Sequence, residues 1–464
     1  MVAPPATKFR MQPHRYRRLL SLLGVMWLLL PESVCAQTTV HATGLVGLSY
    51  TDNLLGAPSQ PQAGSAPPIS TFYLTLTPGL EIYNDHERSR YFLAYSHPFN
   101  IYLGHNRLST NGDVVLGRGI WSLSPQDELL LGISASRMTT AASLDTPQAG
   151  APAIGDGRSR LLSLGADEQL THGFSERWQG KQFANFARTE MLSGPILQPT
   201  FYRTTAGLGV DYVLDRNAWG LQTSATYFWI GKVPEGTVVP GQRRQLVADS
   251  FARYRRDISE TWSCETRLGV VNVYDLGSRV FTTPRWGATL LWNREALSAI
   301  LVYDRTATVS MITGYTYLSD TVQINFHMPL VPTADLSAVA GTGLSHNQIL
   351  TSSQDLGSIQ TNVWASQVSV GYFPDTELPQ IFLSYSHFEQ HNQGGDSVLA
   401  PTFARNTVSL IVSARFPSRV LNDVPSASPQ RVDGADRSPT VTQGINPPTP
   451  TEAPSTRGQT DVDQ

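Results

Sequence analysis

At 464 residues the chain is long enough for two or three ordinary domains, yet only 15% of it is charged and its formal net charge is −3. A mildly acidic chain of this kind is a poor nucleic-acid binder. Its two cysteines, Cys35 and Cys264, are too few for a Cys-based metal cluster.

The first 36 residues read as a secretory leader. Arg15, Arg17 and Arg18 form a basic start, Leu19 to Leu30 an apolar run, and Val34-Cys35-Ala36 a small-residue cleavage site before Gln37. The apolar run is short for a spanning helix. Residues 1–36 carry Lys8, Arg10, Arg15, Arg17 and Arg18 against Glu32, so their removal takes the net charge from −3 to about −7. It also leaves Cys264 alone, without a disulfide partner. No later segment is apolar enough for a transmembrane helix.

From Val40 to Phe416 the sequence predicts eighteen strands, with sixteen to twenty allowed. They begin near Val40, Thr71, Ser89, Asp113, Glu128, Ser159, Arg177, Phe201, Ala218, Gln245, Thr261, Val280, Ala296, Tyr315, Ala334, Thr361, Leu378 and Phe403. Successive strand residues point to opposite faces, so alternation gives one oily and one wet side. In the second strand Phe72, Leu74, Leu76, Leu80 and Ile82 oppose Tyr73, Thr75, Thr77, Glu81 and Tyr83. In the ninth, Trp219 and Trp229 end an apolar stripe, as two interfacial girdles require. Asp320 breaks the pattern: it falls on the apolar face of the fourteenth strand, where only an interfacial position or a shifted register would accommodate it. The last strand, Phe403 to Phe416, sets Val408, Leu410, Val412, Ala414 and Phe416 against Arg405, Thr407, Ser409, Ser413 and Arg415, with Ile411 the exception.

The connections alternate. Long ones such as Thr51 to Ile69, Thr140 to Gly157, Gly231 to Arg244, Leu350 to Gln360 and His391 to Thr402 lie between tight turns such as Ser124-Pro125-Gln126-Asp127 and Asp215-Arg216-Asn217. Short turns on one side and long loops on the other are the arrangement of a closed outer-membrane barrel, in which lipid-facing and lumen-facing residues alternate. An even strand count leaves both ends on the periplasmic side. Residues 417–464, rich in Pro, Ser and Thr, predict a disordered periplasmic tail.

No metal-ligand motif, phosphate-cradling loop or nucleophile elbow occurs, and no cofactor is implied. Tyr-Ser-His occurs twice, at Tyr95-Ser96-His97 and Tyr385-Ser386-His387, but neighbours on one strand face opposite ways and cannot form a Ser–His pair. The chain is therefore read as a non-enzyme. The alternation places Arg253, Arg255, Arg267, Arg285 and Arg405 inward, together with Asp249, Glu265 and the aromatics Tyr73, Tyr315 and Tyr317. Two readings of the arginines stand: a basic strip selecting anions, or a braced network in which Glu265 and Asp249 are the partners.

The element Gly47-Leu48-Ser49-Tyr50-Thr51-Asp52-Asn53-Leu54, with Leu74-Thr75-Leu76-Thr77-Pro78-Gly79-Leu80, resembles the start of the outer-membrane β-barrel porins associated with exopolysaccharide and exosortase systems. The resemblance implies a barrel of about eighteen strands that helps export or assemble a surface polysaccharide. The expected partners are outer-membrane lipid, the barrel-assembly machinery and, through the tail, a periplasmic export protein, with no nucleic acid among them. A general or solute-selective diffusion porin is the alternative, with Thr51 to Ile69 or Thr140 to Gly157 as the loop folded inward. An outer-membrane lipid or glycan hydrolase is a second alternative.

Overall fold

The computed structural model describes residues 38–57, 67–140, 159–193, 200–231, 244–275, 279–294, 297–309, 316–331, 335–350, 360–372, 374, 378–393 and 402–416. The leader, the Pro-rich tail and Tyr315 lie outside them, as do the central residues of the longest connections.

A strand in lipid cannot leave its backbone N–H and C=O groups unpaired, so an amphipathic sheet there must close on itself. This one does. The strands are β1 (Thr38–Thr51), β2 (Thr71–His86), β3 (Ser89–Ser96), β4 (Phe99–Tyr102), β5 (Thr110–Ser122), β6 (Asp127–Thr140), β7 (Ser159–Gly173), β8 (Trp178–Ser193), β9 (Phe201–Leu214) and β10 (Asn217–Ile230). They continue as β11 (Arg244–Asp257), β12 (Trp262–Asp275), β13 (Arg279–Arg294), β14 (Leu297–Val309), β15 (Thr316–Val331), β16 (Leu336–Leu350), β17 (Gln360–Tyr372), β18 (Gln380–Asn392) and β19 (Phe403–Phe416). Except for β3 and β4, each pairs antiparallel with its sequence neighbours, and β1 pairs with β19 to shut the ring.

The ring has eighteen positions, not nineteen. β3 and β4 occupy one position, because β2 and β5 each pair with both. The break falls at His97-Pro98, where proline has no N–H to give a ladder. Around it His97 N donates to Pro78 O and Gly112 N to Pro98 O, so the wall stays bonded through the gap.

The outer face is oily. Val46, Leu48, Phe72, Leu80, Leu208, Leu221, Leu268, Leu344 and Leu410 are exposed on it. At the short-turn end an aromatic girdle runs Trp178–Tyr212–Trp219–Tyr254, with Tyr91–Trp121 and Trp262–Trp292 to its sides. At the other end Tyr50–Phe72 and Tyr202–Trp229–Tyr227 form a second. Two girdles bounding an apolar belt mark a barrel that spans a membrane, and the closed antiparallel form is the outer-membrane type.

Asp320 is on the outer face, in the register that the alternation predicts. It sits near the long-connection end of β15 and directly opposite Arg305 of β14, whose Nη1 is 3.3 Å from its carboxylate. Tyr303 donates to Asp320 at 2.9 Å, and Arg305 lies over the Trp286 ring. An Arg or Lys costs roughly 2–4 kcal/mol on the lipid face at mid-bilayer, an Asp less, and either costs little near the interface. Position and pairing together remove the conflict.

The seam between β1 and β19 is clamped at both ends. At the long-connection end Asn406 donates its N and Nδ2 to the Asp52 carboxylate at 2.7 and 2.6 Å. Asn53, buried beside it, donates to Ala404 O at 3.0 Å and closes a small turn with Ala57. The Tyr50-x-Asp52-Asn53-Leu54 element is thus the fastening of the last strand to the first. At the short-turn end Arg415 of β19 reaches across β1 to Glu81 and Tyr83 of β2.

Hydrogen bonds to a charged group are each worth about 1.5–3 kcal/mol. Asp52→Ala should therefore lower barrel stability by about 2–4 kcal/mol, read as an earlier urea midpoint in detergent micelles. A midpoint equal to that of the unaltered chain would show that this clamp does not hold the seam.

Candidate channel lumen

Along β9 to β14 the inner wall carries alternating charges, and glycine decides how they meet. Register places Asp211, Gly220, Arg253, Arg267, Gly287 and Asp304 in one row across six strands. Two arginines stand side by side in the middle of it. Each leans outward over a glycine toward a carboxylate. Arg253 lies over Gly220 and pairs with Asp211, its Nε 3.0 Å from Oδ1. Arg267 donates to Glu265 two residues away at 2.7 Å and reaches Asp304 over Gly287 at 4.0 Å. A side chain on either glycine would displace these groups: a Cβ at Gly220 would run into the Asp211 carboxylate, and one at Gly287 would crowd that of Asp304.

The same device recurs one row away. Phe251, Gly269 and Arg285 are register partners. Arg285 crosses the glycine, stacks on the Phe251 ring at 4.2 Å and pairs with Asp249. Arg267 and Arg285 are each only 3% exposed. Arg118, Gly132 and Asp167 repeat the spacing on β5 to β7. Arg255 pairs with Asp257 at 3.3 Å, while its neighbour Arg256 faces out.

The structure therefore sets Arg253, Arg267, Arg285, Asp249 and Glu265 in a group of neighbouring ion pairs centred on β11 to β13, with Arg255 just below it. Glu265 and Asp249 are partners within it. Asp304 was not singled out from the sequence, and neither were the glycine gaps. Only register shows that an inward glycine lies between two charges.

Three candidates lie elsewhere. Arg405 faces inward on β19 opposite Phe388. Tyr73 packs against Tyr102 at 5.2 Å, beside the buried Leu54. Tyr317 is 1% exposed near the tip of β15.

That tip leaves the wall. β14 pairs with β13 only as far as Arg305, although β13 continues toward the same end and stays on β12. Beyond that point Ala307 and Val309 pack against Phe201, Phe228, Ile230, Val247, Val271 and Val273, the inner faces of β9 to β12. Thr316 donates to Gln245 of β11. Residues 316 to 319 are buried on both faces, which a strand in the wall, with one face to lipid, would not be. The β14–β15 hairpin thus bends across the mouth. Expectation had placed an inward fold at Thr51 to Ile69 or Thr140 to Gly157. The described ends of the first pack by the seam, and the centre of the second lies outside the described residues.

Ser96 and His97 part to opposite faces, as do Ser386 and His387. On the outer face His97 Nδ1 is 2.7 Å from Asp113 and His387 Nδ1 2.8 Å from Asn406. Neither histidine is hydrogen-bonded to a serine among the described residues.

No family model and no curated protein matches the chain. Among solved structures it is similar to the outer membrane protein opdK from Pseudomonas aeruginosa, at 11% identity and a TM-score of 0.41 over 81% of this chain and 98% of that one. It is also similar to OccAB3 of Acinetobacter baumannii, at 10% identity and 0.44 over 82% and 99%. A third is the FrpB iron transporter from Neisseria meningitidis, F3-3 variant, at 9% and 0.47 over 83% and 82%. Identities this low leave the solute to be read from the lumen itself.

Removing one partner of a buried ion pair costs about 3–5 kcal/mol. Gly220→Val and Asp211→Asn should each lower stability by about that much, and together by little more than either alone, because both strip Arg253 of the same partner. Additive losses in urea unfolding would separate the glycine from the ion pair.

Proposed function

We propose that this chain is an outer-membrane channel for small hydrophilic solutes, narrowed by the β14–β15 hairpin at its long-connection mouth. The observation that carries the reading is the joint arrangement of a polar inner wall and a hairpin bent over it. Eighteen staves enclose more width than wall side chains fill. A polar wall is stable only if water or solute meets it, so the interior is built for aqueous passage. The hairpin tip, anchored by Ala307, Val309 and Thr316, reduces that width at one level.

The resemblance to exopolysaccharide-associated porins favours polymer export instead. A polymer would have to pass the same narrowed mouth in an extended form, and the small-solute reading needs no such condition. Outer-membrane lipid contacts the belt in either case. The closing strand β19, apolar on its outer face up to Phe416, is the element that the assembly machinery would handle. A periplasmic export partner would act through residues outside the described barrel.

Purified protein in planar bilayers should pass current in steps. Replacing residues 309–316 by a two-residue Asn-Gly turn should raise the step size several-fold while the barrel stays folded. No current from either form would sink the channel reading. Equal steps would show that the hairpin is not the narrowest point. Loss of surface polysaccharide on deleting the gene, with small-solute uptake unchanged, would favour export.

A further inference from the structure

The inner wall has two electrostatic characters. On β11 to β13 Arg253, Arg255, Arg267 and Arg285 are committed to carboxylates. On β8 to β10 a second strip is uncommitted. Arg203 of β9 faces inward between Ala187 and Phe228, and its Nε is buried without a hydrogen-bond partner. Neither Arg203 nor Lys181 forms an ion pair or hydrogen bond among the described residues. Lys181, Gly209 and Gln222 make a row toward the short-turn end, and Gln222 Nε2 is also buried and unpartnered. Between these rows lie Asn185, Thr205 and Thr226, then Phe183, Gly207 and Ser224 with the Phe183 ring over the glycine; the two threonines bond each other, and Asn185 Oδ1 has no partner.

Buried polar atoms are normally satisfied, and leaving one without a partner is costly. Arg203 Nε, Gln222 Nε2 and Asn185 Oδ1 are three such atoms, in separate rows of the adjacent strands β8 to β10, and a polar ligand would complete them. From Arg203 to Gly209 is six residues, or roughly 20 Å of strand. Arg203 stands two residues from Phe201, which the bent hairpin packs against, so the strip starts at the constriction.

We infer that this strip, from Arg203 at the constriction to Lys181 below it, is a binding track for hydroxylated organic anions. The inference rests on the channel reading and names the class of solute. A guanidinium and an ammonium at the two ends supply charge for a carboxylate or a phosphate. The amides of Asn185 and Gln222 supply neutral hydrogen bonds for hydroxyls. The neighbouring Arg253, Arg267 and Arg285 do not serve, because each already holds a carboxylate.

The test uses gluconate and the full-length protein, with sorbitol as the neutral control. In bilayers gluconate should block the chloride current, and sorbitol should not. Arg203→Gln with Lys181→Gln should raise the half-blocking gluconate concentration about tenfold or more, and Arg203→Lys should restore part of it. An unchanged half-blocking concentration in the double variant would overturn the track. If the wild type carries no current, the channel reading fails, and the track is judged by thermal unfolding in detergent. Gluconate should then raise the midpoint of the wild type and not that of the double variant. No rise in the wild type would overturn the inference. Glucose 6-phosphate in place of gluconate separates phosphate from carboxylate preference.

Discussion

Everything in this molecule depends on β1 meeting β19. In a bilayer an open sheet edge leaves a row of unsatisfied N–H and C=O groups, each costing several kcal/mol. The two strands are far apart in sequence, so no tight turn sets their register. The fold supplies other means. Backbone pairing runs from Ala42–Phe416 to Thr51–Thr407, and side-chain clamps of Asp52 with Asn406 and of Arg415 with Glu81 lie at its ends. A one-residue slip would turn Leu410 and Val412 into the lumen and Arg405 and Arg415 into lipid. The clamps are polar and specific, as a register device must be.

Once the ring is closed, its inner face has to place charge where water is limited. The rows over Gly220, Gly269 and Gly287 show how. An arginine is long, and neighbouring staves are only about 4.8 Å apart. A side chain on the middle strand would force the guanidinium up into the lumen. Removing that side chain lets the guanidinium lie flat against the wall and reach an acid two strands away. The glycines are placed by the charges beside them and not by any turn. The result is a braced wall whose arginines contribute little positive field to the passage.

Much of this was legible in the sequence. The strand starts, the count of eighteen, the two faces and the long–short rhythm follow from period-two alternation and turn chemistry, which are local. Asp320 was legible as a conflict, and its resolution was not, because Arg305 belongs to another strand. What could not be read depends on register. Gly220 between Asp211 and Arg253 is an ordinary strand glycine until three strands are aligned. The His97-Pro98 break was hidden because β3 and β4 together still make one stave. The bend of the β14–β15 hairpin was hidden because Ala307, Val309, Tyr317 and Leu318 alternate no differently from wall residues. Ala307 and Val309 are buried by β9 to β12, far away in the chain, and Tyr317 and Leu318 are buried on the strand paired with theirs.

The hairpin and the uncommitted strip bear on each other. A constriction alone sorts solutes by size. A charged wall alone, in a passage as wide as eighteen staves allow, is screened within about 8 Å at physiological salt. Bringing the hairpin onto β9 to β12 narrows the water beside Arg203, so that a solute there comes within that distance of a guanidinium that no described residue pairs. The bend also explains why the apolar cluster is on those strands. Phe201, Phe228 and Val271 hold Ala307 and Val309 by burial, which is non-directional and places no demand on Arg203 beside them. On this view the hydrophobic cluster positions the constriction, the glycine-spanned ion pairs stiffen the same strands nearer their short-turn end, and selectivity resides in the groups that neither of them uses.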